Sequence, residues 1–193
     1  MPEPIRPSPT SPRSDQPRQR TDRKVQIARA ALDVIAQEGL VELTHRRVAA
    51  EAGVSLGATT YHYSTIDELM RAALILALEE NRARLAEWLA PMREVGDIPD
   101  VLTNVVVESV TRSRVESSVA NELYLVSIRR VSLSPIARAW AAELEDHLGR
   151  LVDLETARSL AAYVDGLLLH ALTRLVPLHR DHIRAMIARM LER

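Results

Sequence analysis

The stretch GVSLGATTYHYSTIDEL, Gly53 to Leu69, sets small residues, threonines and aromatic rings between two segments of helical periodicity. Gly53 suits a left-handed turn, because a residue without Cβ adopts positive φ at no steric cost. Upstream, Thr44 stands where a hydroxyl caps a short helix that carries Val48, Ala49 and Ala52 inward. Downstream, Ser55 caps a helix running to about Tyr63, and Thr65 followed by Glu68 is a capping-box signature. That box opens a long helix bearing Leu69, Leu74, Leu78, Leu85 and Leu89. The stretch therefore predicts one short helix held between two punctuated turns.

Outward from it, the rest of the chain also reads as helix. Ile27, Ala28, Ala31, Leu32 and Ile35 recur at helical spacing, and Gly39 follows as a stop. Six of the ten prolines (Pro2, Pro4, Pro7, Pro9, Pro12, Pro17) precede Arg18, among Ser, Thr and Arg, a composition that cannot bury enough surface to order itself. Residues 1–20 are thus expected to be a flexible tail. Beyond Pro91 and Gly96 the pattern predicts helices over Pro99–Arg114, Ser117–Arg130, Ser134 to about Leu151, Leu154–Leu175 capped by Asp153, and, after Pro177, His179–Leu191. No alternating β-branched run argues for a sheet. The expectation is an all-α chain of about nine helices, divided into a tail (1–20), a small helical unit (21–66) and a larger one (67–193).

Composition excludes several functions. There is no cysteine, hence no disulfide framework or thiolate metal site. No apolar run approaches the ~20 residues that cross a bilayer, and the amino terminus lacks a signal-peptide core, so a cytoplasmic protein is expected. His179 and His182 lie three apart with His170 distant, but no carboxylate pattern accompanies them, and the helical pair reads as solvated rather than as a metal site. No G-x-S-x-G elbow, phosphate-cradling glycine loop or dinucleotide fingerprint occurs. Neither an enzyme nor a cofactor is indicated.

Two short helices joined at a tight glycine turn form the helix-turn-helix layout, which is also the ordinary corner of three packed helices. A helix entering the DNA major groove needs small residues where its backbone nears the duplex, and Gly57 and Ala58 supply them. Thr59, Thr60, Tyr61 and His62 can then meet phosphates or base edges, and Arg46 or Arg47 at the head of the preceding helix a phosphate or guanine. Charge gives little help, since nine cations face nine carboxylates in residues 1–70 and the whole chain carries −1. Arg18, Arg20, Arg23 and Lys24, however, are clustered.

From TDRKVQIARAALDVIAQEG in the first helix, through Thr44 and RVAAEAGVS in the second, to GATTYHY followed by DEL, residues 21–74 resemble the DNA-binding domain of the TetR family of transcriptional regulators. The resemblance implies a homodimer that binds a pseudo-palindromic DNA operator, most often as a repressor, and releases it when a small molecule enters a helical carboxy-terminal domain. It also implies a base contact for Arg46 and phosphate or base contacts for Thr44, Ser55, Thr59, Thr60, Tyr61 and His62. Tyr63 takes the place of a core aromatic. Ile66 departs from the pattern, standing where many relatives have a phosphate-touching lysine. The basic residues Arg18 and Arg20 are expected to compensate.

In the carboxy-terminal half, Leu160, Val164, Leu167, Leu168 and Ala171 form an apolar face on one helix, with Ala162 and Gly166 permitting close approach. Ile183, Met186, Ile187 and Met190 do the same on the last helix, and the two together suit a dimer interface. For a largely apolar effector, the candidate contacts are Trp88, Val107, Glu108, Asn121, Tyr124, Trp140, Tyr163 and His170. The competing reading is a helical dimer that binds a small molecule or a protein and retains only vestigial DNA affinity.

Overall fold

The computed structural model describes residues 16–173 and 178–192. Within them the chain forms nine α-helices: α1 Gln16–Glu38, α2 His45–Glu51, α3 Leu56–His62, α4 Ile66–Leu89, α5 Ile98–Val110, α6 Arg114–Ser127, α7 Ser134–Leu148, α8 Leu154–Leu172 and α9 Arg180–Leu191. No strand occurs among the described residues.

The punctuation follows local chemistry. Thr44, Ser55, Thr65 and Asp153 are extended at their helix entrances, and each side chain accepts a backbone N–H from three residues on. Each cap of this kind is worth about 1 kcal/mol. Gly39 (φ 85°) and Gly53 (φ 63°) hold the two positive-φ turns that end α1 and α2. The Glu68 carboxylate reaches back to the N–H and hydroxyl of Ser64, one residue before the position a capping box predicts.

Several boundaries differ from expectation. Helix α1 already begins at Gln16, so residues 16–20 extend the first helix and are not tail; residues 1–15 lie outside the described residues. Helices α5, α6 and α7 stop three or four residues early. Helix α8 ends at Leu172, and its expected end at Leu175, like Pro177, lies outside the described residues. His179 precedes α9 as its cap position.

Helix α4, 24 residues and about 36 Å long, joins two cores. Its first half (Leu69, Met70, Ala73, Leu74) packs with Ile27, Val34 and Ile35 of α1, Val48 of α2 and, from the larger unit, Val119 and Leu123 of α6. Its second half (Leu85, Leu89) packs with α5, α7, α8 and α9 through Leu102, Leu148, Leu160 and Ile187. Each fully buried leucine or isoleucine contributes roughly 1.5–3 kcal/mol. Because α6 contributes to the first core, the small unit rests directly on the larger one.

Candidate nucleic-acid interface and ligand cavity

Gly53 and the Ser55 cap leave α3 projecting with Leu56, Gly57, Thr60 and Tyr61 exposed; Tyr61 is 70% exposed. Ala58 and His62 are half-buried. Thr59 corrects the sequence reading: it is fully buried, and its hydroxyl donates to the Leu56 carbonyl at 2.8 Å, so it serves α3 and the core. The Thr60 hydroxyl also donates to Leu56, at 3.1 Å, but stays exposed. Tyr63 is a core ring whose hydroxyl donates to the Lys24 carbonyl at 3.0 Å.

The two arginines of α2 differ. Arg47 is engaged by Glu38, with Nε donating to the carboxylate at 2.9 Å, which holds the Glu38 carboxyl below its ordinary range. Arg46 is exposed and makes no ion pair among the described residues. The extra turns of α1 bring further cations to the end of α3. The Arg20 guanidinium lies 5.6 Å over the Tyr61 ring, and the Lys24 ammonium 5.8 Å over Tyr63. Burial and then Arg20, Lys24 and Arg23 lower the pKa of His62, keeping its imidazole neutral at physiological pH. A positive ridge therefore flanks α3 despite the neutral sum of charges.

Between α4, α5, α6, α7 and α8 lies a cavity of about 70 Å³. Of the candidate effector contacts, Trp88, Asn121 and Trp140 line it. Val107, Glu108, Tyr124, Tyr163 and His170 do not: Glu108 pairs with Arg112, Tyr163 packs on the second core, His170 is exposed, and Val107 and Tyr124 are half-buried elsewhere. The sequence reading missed Asn81, Ser109, Glu143 and Asp165. Single polar letters on amphipathic helices gave no signal for them. Glu143 already accepts Arg82 Nε at 2.6 Å. Asp165 lines the cavity while its outer side stays exposed, has no ion-pair partner among the described residues, and has its carboxyl pKa raised by desolvation from the surrounding helices, with Glu145 adding repulsion.

The expected dimer contacts also divide. Leu160, Val164, Ala171, Ile183 and Ile187 are buried within the subunit, where they fill its own core, and Val164 and Leu168 line the cavity. Leu167, Leu168, Met186 and Met190 are half-buried. The open stripe of α8 is Ala162, Gly166 and Leu169, and a Cβ built on Gly166 would meet nothing within 4 Å.

Residues 27–73 match the family described as bacterial regulatory proteins, tetR family, and residues 93–193 match the tetracyclin repressor-like C-terminal domain. The HTH-type transcriptional regulator PksA of Bacillus subtilis (strain 168) is 31% identical over 183 residues, covering 88% of each chain. The solved structure of the multidrug binding protein EbrR with imidazole is 38% identical, covers 94% of this chain and 97% of its own, and superposes with TM-score 0.82. EbrR with ethidium gives 37% identity, coverage of 88% and 98%, and TM-score 0.80. With both halves of the fold matched in order, the chain belongs to the TetR family and is a ligand-responsive, DNA-binding transcriptional regulator.

Proposed function

We propose that the protein is a dimeric repressor, acting in the cytoplasm without catalysis, which releases a two-fold operator when an aromatic cation enters the α4–α8 cavity. The observation that carries the effector class is Asp165, a carboxylate with no ion-pair partner among the described residues, on a cavity that also presents two indole rings. Indoles attract cations through their ring faces, and an unpaired carboxylate supplies the counter-charge. EbrR has been solved with ethidium, proflavin and malachite green, which are aromatic cations; this supports the same class here.

At about 70 Å³ the cavity lies well below the roughly 300–1,000 Å³ of sites that hold drug-sized ligands. A dye-sized ligand therefore enters only as the walls separate. One wall is α6, which also packs on the small unit, so opening the cavity displaces the support of α1 and α4. That gives ligand and DNA a shared two-state element, as allosteric coupling requires.

On the DNA side, Arg46, Thr60 and Tyr61 would face the groove, with Gly57 and Ala58 permitting approach; Thr44, Ser55, Arg47 and His62 flank them. Arg20, Arg23 and Lys24 would hold phosphates, replacing the contact absent at Ile66. A two-fold operator needs a two-fold reader, and the Ala162–Gly166–Leu169 stripe with Met186 and Met190 is the surface offered for pairing.

The test is selection of genomic fragments by the purified protein and by the Arg46→Ala, Tyr61→Ala double variant. Enrichment of an inverted repeat that the double variant loses supports the regulator and yields its operator. No enrichment at low salt from a folded dimer would instead favour a binding module with vestigial DNA affinity.

A further inference from the structure

A second open space lies on the other side of α6. A groove of about 620 Å³ runs between the small unit and the carboxy-terminal end of α6, within the size range of small-molecule sites. Leu40, Leu43, Ile66 and Met70 form one wall, and Leu125 and Val126 the other. These walls are aliphatic, with no aromatic ring, unlike the tryptophan-lined inner cavity.

Val41, on the groove, is 92% exposed, and Ile128 and Val131, which flank the lining residues Arg129 and Arg130 in sequence, are 75% and 87% exposed. Side chains of this kind left in water at one place mark a surface that gains from being covered. The charged groups at the groove are Glu122, Arg129 and Arg130. Glu122 is occupied by the Leu40 N–H and Arg130 by Asp67. Arg129 is exposed and has no ion pair among the described residues, so it is the cation open to a ligand, while Glu122 keeps its negative charge at the Leu40 end of the groove.

We infer that this groove is a second ligand site, distinct from the inner cavity, which takes a flexible aliphatic chain ending in a carboxylate, with the chain along Leu40, Met70, Leu125 and Val126 and the carboxylate on Arg129. An aliphatic wall gives a planar dye no stacking partner, whereas a bendable chain follows an open groove. The exposed guanidinium offers a planar fork that matches a carboxylate. Such an occupant touches both the DNA-reading unit and α6.

The probe is sodium dodecanoate below its micelle concentration, added to the full chain carrying 13C-methyl methionine. Of the methionines, Met70 lies in this groove, whereas Met92 and Met190 pack on the second core. The expected result is saturable binding that moves the Met70 methyl resonance and leaves Met92 and Met190 in place. Arg129→Glu and Leu125→Asp, both at exposed positions, should each weaken binding by about tenfold or more. Dodecyltrimethylammonium, with the same chain and opposite charge, should bind more weakly by a similar factor.

Four results would overturn the inference: no saturable binding; equal binding of the ammonium compound; a shift of Met92 in place of Met70; or light scattering showing that the wild-type face pairs with a second copy and that Leu125→Asp abolishes the pairing. The wild-type selection of an operator is read separately, so failure here leaves the regulator reading intact.

Discussion

The Glu122 carboxylate accepts the backbone N–H of Leu40 at 2.9 Å, joining residues 82 positions apart across the junction between the DNA-reading unit and α6. Its neighbour Asn121 faces the inner cavity, so one turn of α6 touches both that cavity and the turn that ends α1. Glu122→Ala removes a bond to a charged acceptor and should cost about 1–2 kcal/mol in chemical denaturation. The more specific outcome is functional: affinity for malachite green should stay within about twofold, while release of operator by the dye becomes incomplete, because the coupling free energy and not the ligand site has changed. Calorimetry and operator-release titration on the same variant check both parts.

Arg46 and Arg47 should separate in a DNA-binding titration. Arg46→Ala is expected to weaken operator binding by about 1–3 kcal/mol, the range for losing a good base contact. Arg47→Ala should cost clearly less, since the side chain is already held by Glu38. Equal losses for the two would show that Glu38 surrenders Arg47 to DNA.

The ridge on α1 predicts a salt effect. At about 100° per residue, Arg20, Arg23 and Lys24 share the face on which Ile27 is buried one turn later, while Asp22 lies opposite. Replacing the three cations by alanine should make the plot of log affinity against log salt shallower by about 2–3 units, with the preference for operator over random DNA unchanged. A loss of sequence preference would instead show that Arg20 acts by setting the Tyr61 ring.

Gly53 carries a backbone requirement and no packing requirement. Its φ is 63°, and a Cβ there would meet nothing within 4 Å. Gly53→Ala should therefore destabilise by about 1–2 kcal/mol through strain alone. Gly53→Asn, a residue that tolerates this region, should recover part of the loss in thermal unfolding.

The turns and caps were legible because each is local chemistry: a hydroxyl three residues before the N–H it accepts, or a glycine where φ is positive. What resisted reading depends on tertiary direction. In TTYH, two adjacent threonines look alike, yet helix phase buries Thr59 and exposes Thr60. On α8 and α9 the same apolar periodicity describes core and interface, so Leu160 and Ile187 read as partner-facing although they fill the subunit. The start of α1 is hidden because Pro17 suits both the first turn of a helix and the proline-rich composition that precedes it.

Asp165 gives the pH prediction. Its carboxyl pKa lies above the ordinary value of 3.8, by desolvation on its cavity side first and repulsion from Glu145 second. Raised in the folded state, it holds its proton longer than in the unfolded chain, so its contribution to stability is full below 3.8 and is lost as pH rises through the folded value. Ligand binding runs the other way. A bound cation favours the ionised form, so the complex releases a proton in the window just above 3.8 and affinity for malachite green rises with pH across it, then levels off. Asp165→Asn should weaken binding and flatten that dependence, because the amide keeps the shape of the site without its charge. Fluorescence titration of both proteins across the window decides the matter. A wild-type affinity that does not change with pH, or an unchanged slope in the variant, would move the counter-ion role to Glu143, whose pairing with Arg82 would then have to open on binding.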